Sequence, residues 1–158
     1  MRGVRTVRVA WLTRVILVTL CLLVHGCTNV TGGAVELSWK LRPRSGPITG
    51  FLDCDGARIA FIELAWDVNG VTDSRTWNCG DGHGVTGFDI PVGSVLLSVR
   101  PICPAVPPQG PQPAQVGTYI VPAPERRDVI VGNTISLGAV ELVLQVSDCS
   151  DMQPCVCQ

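Results

Sequence analysis

From Val35 onward the chain alternates apolar and polar residues with a period of two. Val35, Leu37, Trp39 and Leu41 interleave with Glu36, Ser38, Lys40 and Arg42, the pattern of a strand with one buried and one wet face. The same pattern predicts a strand over Arg58–Asp67, with Ala60, Ile62, Leu64 and Trp66 inward. Another is predicted over Ser94–Ile102, with Val95, Leu97 and Val99 inward, and a last one over Ala139–Ser147 on Val140, Leu142, Leu144 and Val146. Shorter strands are expected at Ser74–Cys79, Thr86–Ile90, Thr118–Val121 and Asp128–Val131. Asp67-Val68-Asn69-Gly70 supplies turn chemistry between two of them. Beyond the first 26 residues no segment carries a 3.6-residue period. Seven to eight short strands separated by Gly and Pro turns predict an all-β, antiparallel two-sheet sandwich.

Two segments interrupt the alternation. Residues 104–115 hold five prolines (Pro104, Pro107, Pro108, Pro111, Pro113) and are expected as an exposed, extended loop. Gly80-Asp81-Gly82-His83-Gly84 is rich enough in glycine to be expected as loop alone. The organisation expected is a leader over 1–26, a tether over 27–33, the sandwich over 34–147 and a cysteine-rich tail over 148–158.

The leader has its own pattern. Arg2, Arg5, Arg8 and Arg14 precede the apolar run Val15–Leu23, with no acidic residue among them. This order predicts a secretory signal peptide. The apolar core is about half of the roughly 20 residues needed to span a bilayer. Val24-His25-Gly26-Cys27 then resembles the lipobox of bacterial lipoproteins, with His25 unusual at a permissive position. That resemblance implies cleavage before Cys27, acylation of its thiol (palmitate being a typical chain) and attachment to a bilayer through it. Several acyl chains hold a protein in a leaflet where one gives only reversible binding. Thr28, where Asp often signals inner-membrane retention in such lipoproteins, points to the outer membrane. A plain secreted protein is the alternative.

Without residues 1–26 the chain keeps eight basic and thirteen acidic residues, a net charge of −5 against −1 for the whole sequence. That balance argues against nucleic acid, whose phosphates require a basic face. Cys21 lies in the leader and Cys27 at the lipobox, leaving Cys54, Cys79, Cys103, Cys149, Cys155 and Cys157. In an exported chain six cysteines predict three disulfides, with fifteen connectivities open. The favoured pairs are Cys54 with Cys79, and Cys103 with one cysteine of the tail. Cys155 and Cys157 are too close in sequence to bond each other comfortably. A thiolate metal site would want Cys-x-x-Cys spacing or histidine partners, and only His83 follows the leader.

Phe88-Asp89-Ile90-Pro91-Val92-Gly93-Ser94-Val95-Leu96-Leu97-Ser98-Val99 resembles the closing hairpin of carboxypeptidase-regulatory-like and transthyretin-like domains, with Val95 where that family usually has tyrosine. Across Val35–Val99 the Trp-containing first strand, Cys54, the long second strand and Trp77-Asn78-Cys79 also look like bacterial lipoproteins with one such sandwich. The resemblance implies an Ig-like or transthyretin-like binding or scaffold module, and it carries no site residues across.

His83 is the natural general base in the body of the chain. Asp81 lies two residues before it, and Ser74, Ser94 and Ser98 are available, but no Gly-x-Ser-x-Gly elbow surrounds any of them. A hydrolase is therefore the weakest reading, and a solvated loop histidine the ordinary one. Gly80–Gly84 has the composition of a phosphate cradle without the following lysine. Asp53, Asp55, Asp67, Asn69, Asp73 and Asp81 offer hard oxygen ligands for calcium, although acidic residues also serve turns. Trp39 and Trp66 sit on inward positions, as core residues would; Trp77 is open, and the three could form a sugar-stacking platform only if exposed. The function expected is non-catalytic, without a cofactor: a lipid-anchored envelope module that binds another envelope protein or a surface polymer through loops or an edge strand. The alternative is an inhibitor or a small-ligand or calcium-binding module using the Pro-rich or Gly-rich loop.

Overall fold

The computed structural model describes residues 30–46, 49–105, 109–150, 152 and 155–157. Cys21, Cys27 and the leader lie outside the described residues. No helix among the described residues is long and apolar enough to cross a membrane.

The alternating segments form strands because each can bury one side-chain row while its backbone is satisfied by neighbours. They are β1 (Ala34–Pro43), β2 (Phe61–Val68), β3 (Val71–Asn78), β4 (His83–Val85), β5 (Gly93–Cys103), β6 (Gln112–Pro113), β7 (Tyr119–Ile120), β8 (Glu125–Val129) and β9 (Thr134–Leu144), with one 3-10 turn at Cys79–Asp81. One sheet has the order β4-β1-β9-β7. The other runs β3-β2-β5-β6, with β8 also on β5. The fold is an all-β, two-sheet sandwich stapled by disulfides. Every pairing is antiparallel except β1 with β9, where the first and last long strands run parallel.

The core lies between the sheets. Val35, Leu37, Trp39 and Leu41 from β1 and Val140, Leu142 and Leu144 from β9 meet Ile62, Leu64 and Trp66 from β2 and Val95, Leu97 and Val99 from β5. All are buried, and each large aliphatic contributes about 1.5–3 kcal/mol on leaving water. Trp39 Nε1 donates to the Cys79 carbonyl at 2.7 Å, so its one polar group is satisfied inside. On the outward face of β2 the carboxylate of Glu63 is buried beneath Arg100, its cross-strand partner, which hydrogen-bonds to it. That bond holds the Arg100 guanidinium pKa above its ordinary value, with the Glu63 charge adding to it and partial burial opposing it.

Several short elements fall elsewhere than the alternation predicts. The strand expected at Ser74–Cys79 begins at Val71, because a two-residue turn with Asn69 at φ 54° lets β2 and β3 pair along their full length. Thr86–Ile90 is not a strand. The Thr86 hydroxyl turns inward to accept the Val35 N–H at 2.9 Å, and only Ile90 bridges, to Gly33. The strand expected at Asp128–Val131 starts at Glu125 and ends at Val129, set by its register on β5. The strand expected over Ala139–Ser147 begins at Thr134 and ends at Leu144. Within the Pro-rich segment, Gln112–Pro113 returns to the edge of β5 and Ala114 is buried, so proline takes an edge position, as its missing N–H requires. Gly32 and Gly33, expected in the tether, already bond to Phe88 and Ile90. In the tail, Val156 and Cys157 are buried in the core cluster.

The disulfides are Cys54–Cys79, Cys103–Cys157 and Cys149–Cys155, with Cα–Cα distances of 5.8, 5.5 and 5.3 Å. The first ties the β1–β2 connection to the end of β3. The second fixes the tail against the end of β5.

Candidate interaction surface

Gly80–Gly84, expected as loop alone, contains a 3-10 turn and the start of β4. Gly84 makes this possible: it lies flat on the Trp77 ring, and a Cβ there would overlap Cδ2, Cε2 and Cε3 of the indole. His83 therefore pairs with Ser38 of β1 and faces outward on the four-stranded sheet. Its Nδ1 lies 3.0 Å from the backbone carbonyl of Asp81, not the carboxylate. Ser74, Ser94 and Ser98 lie on the outward face of the other sheet, as their registers with Ala65 and Asp128 place them. The core thus separates the histidine from all three serines. The serine beside it is Ser38, whose hydroxyl donates to the Gly138 carbonyl.

The loop carboxylates serve their own turns. Asp53 Oδ1 accepts from Gly56 N–H at 2.6 Å, Asp67 from Gly70 N–H at 3.0 Å and Asp73 from Ser74 N–H at 2.8 Å. Among the described residues no three His, Cys, Asp or Glu side chains are placed to hold one metal ion. Trp39 and Trp66 are in the core. Trp77 is half-buried, with its ring 6.3 Å from that of Trp39 and tilted by 35°. The three rings do not form an exposed platform.

A different group of residues does converge on the surface. Lys40 and Arg42 occupy successive outward positions of β1. After the strand the chain folds back so that Leu52 N–H donates to the Leu41 carbonyl at 2.8 Å. This return lays Phe51 between the two cations, with Lys40 Nζ 4.8 Å and Arg42 Cζ 5.5 Å from its ring centroid. Phe51 stays 54% exposed. Each cation–ring contact contributes about 0.5–1 kcal/mol at an exposed site. Arg42 also pairs with Glu141 at 3.4 Å, whereas Lys40 has no ion pair among the described residues.

Beside Phe51 a groove of about 590 Å³ runs across the end of the sandwich, lined by Leu52, Ile59 and the Cys54–Cys79 bridge among others. The disulfide and the Leu41–Leu52 bridge make its walls rigid. The arrangement offers an open, largely apolar groove with the Lys40 ammonium and the Asp53 and Asp55 side chains on its lining, which suits a ligand carrying an apolar or ring face and polar groups. Lys40 and Arg42 read from the sequence only as the wet face of the first strand. Phe51 gave no local signal, because its role depends on the chain folding back.

No protein-family model, no curated protein and no solved structure matches this chain.

Proposed function

We propose that the protein is a non-catalytic module of a bacterial cell envelope. It is held in a leaflet, the outer membrane by preference, through acylated Cys27, and it binds an envelope protein or surface polymer through the Phe51 surface. The observation that carries the reading is an exposed aromatic ring braced between Lys40 and Arg42 on the lip of a rigid groove. Aromatic and cationic side chains in a concave site are the groups that dominate recognition energies.

The anchor and the surface are tested separately. Cys27→Ser removes the acylated thiol, so metabolic labelling with radiolabelled palmitate disappears; label that persists overturns the anchor. For the surface, the full chain is used to capture partners from detergent-solubilised envelope. Phe51→Ala with Lys40→Glu reduces recovery of whatever the wild type enriches by roughly tenfold, on the magnitude of one lost hot spot. Val131→Ala, another exposed position, leaves it intact. Equal recovery by all three proteins overturns the surface.

A second reading, an inhibitor or small-ligand module, has one observation in its favour. Both ends of the Pro-rich segment are fixed, by Cys103–Cys157 and by the pairing of Gln112–Pro113 on β5. Under that reading, replacing residues 104–111 with Gly and Ser abolishes binding while Phe51→Ala does not.

A further inference from the structure

Two long strand edges lie open among the described strands: Thr134–Leu142 of β9, which pair only with β1 and are bulged at Gly138, and the whole of β3. β4, β6, β7 and β8 are edge strands of two to five residues, but β3 has eight and pairs only with β2. Val71–Thr76 are all exposed, Val71 by 72%. The β3 edge has no proline, lysine or bulge. Of the devices that usually discourage strand addition it carries only two charges, Asp73 and Arg75, which are opposite in sign and symmetric about Ser74, so a second copy can match them. Its sequence is Val71-Thr72-Asp73-Ser74-Arg75-Thr76-Trp77. Read outward from Ser74, it matches itself with inverted charge: Asp73 and Arg75, then Thr72 and Thr76, then Val71 and Trp77.

We propose that this edge joins two copies of the chain, β3 against β3, antiparallel about a two-fold axis through Ser74. This surface is separate from the Phe51 groove and goes beyond the binding role above. The backbone phase permits the pairing. Residues flanking a two-residue hairpin turn form a hydrogen-bonded pair, so Val71, Asp73, Arg75 and Trp77 direct their amides to β2. Cys79 N–H continues that phase by donating to the Ala60 carbonyl. Thr72, Ser74 and Thr76 point their backbone groups out of the sheet, and the Ser74 N–H is met only by the neighbouring Asp73 carboxylate. With Ser74 opposite Ser74, Thr72 meets Thr76 twice, giving on the order of six inter-chain backbone bonds.

The side chains select this register. Asp73 of one copy faces Arg75 of the other, and Val71 faces Trp77, in the non-hydrogen-bonded pairs where side chains approach most closely. A register with Asp73 or Arg75 on the axis would place like charges opposite each other. Sliding further, to Thr72 or Thr76, loses both ion pairs. In the single chain Arg75 has only a 4.0 Å exposed contact to Asp89, which leaves the rest of its guanidinium available. An isologous two-fold contact is the commonest symmetry of soluble oligomers.

The test uses the full chain in mild detergent. Ser74→Cys places two thiols on the axis at about 5.5 Å between Cα atoms, the separation of a hydrogen-bonded pair and one a disulfide accepts. Mild oxidation gives a dimer on a non-reducing gel. Thr72→Cys or Thr76→Cys alone gives little, while the two mixed cross-link to each other. Asp73→Arg alone and Arg75→Asp alone each weaken self-association roughly tenfold or more, and mixing those two variants restores a dimer. A folded Ser74→Cys protein that stays monomeric overturns the proposal. So does a dimer that survives both single reversals, or a wild-type sedimentation mass of one chain at tens of micromolar.

Discussion

Gly84 shows how one residue sets the chemistry around it. Its missing side chain lets the Trp77 indole lie on the backbone of β4, and this contact holds His83 on the outward face opposite Ser38. Gly84→Ala drives a methyl into the half-buried Trp77 indole, so it should cost about 1–3 kcal/mol, as overpacking does. The urea midpoint of unfolding measures this, and near-ultraviolet circular dichroism of the Trp39–Trp77 pair should change with it. Trp77→Leu in the Gly84→Ala background should recover part of the loss, since the two changes share one contact. If Gly84→Ala is neutral, β4 does not depend on that close approach. At the same scale, raising the Arg100 pKa has a fixed sign: the stabilisation that comes from keeping the guanidinium charged beside Glu63 is not reduced by arginine titration below the ordinary arginine value. It is lost only as pH rises through the raised one.

Individual elements were legible where burial follows the two-residue period, and hidden where it does not. β1 and β5 bury alternate residues, and their inward sets are the ones the sequence spells out. β2 buries the expected Ile62, Leu64 and Trp66, but it starts at Phe61 rather than Arg58, leaves Ala60 outside the strand, and also buries Glu63 on its other face. β3 carried almost no signal because both its faces are exposed, with only Trp77 half-buried. β8 buries Val129 alone. β9 breaks its own period. Ile135 and Leu137 point inward at odd positions, then Val140, Leu142 and Leu144 at even ones, because β1 and β9 slip by one residue between Glu36 and Ser38. Gly138 absorbs the slip at φ 65° as the extra residue of a bulge. Alternation alone therefore registers only the later half of that strand. The Phe51 surface was hidden for another reason: it joins β1 to a return segment, and such a contact leaves no periodic trace. Gly138→Ala meets no neighbouring atoms, so its cost is conformational, about 1–2 kcal/mol for a left-handed backbone. Deleting Gly138 should cost more, because a one-residue slip turns Ile135 and Leu137 to the wet face. Equal unfolding midpoints for the two variants would show that the bulge does not set the register.

At the scale of the whole molecule, three bridges tie together parts of the chain whose strands are short and whose connections are long. Their sequence separations are 54 residues for Cys103–Cys157, 25 for Cys54–Cys79 and 6 for Cys149–Cys155. A cross-link restricts the unfolded chain more when it closes a longer loop. On that scaling the three contribute about 4, 3.5 and 2 kcal/mol respectively. Packing sharpens the ranking, because Cys157 and Val156 are buried in the core cluster while Cys149 is exposed. Replacing Cys103 and Cys157 together by serine should therefore lower stability most. It should also release the tail to proteolysis, because the remaining backbone bond from Val156 N–H to the Gln145 carbonyl cannot hold it alone. Replacing Cys149 and Cys155 should lower stability least and leave the tail protected. Urea unfolding of the three double variants, with limited proteolysis followed by mass spectrometry, measures both effects. An inverted order would mean that native-state packing around the short bridge, rather than the length of chain it closes, governs how this sandwich is held together.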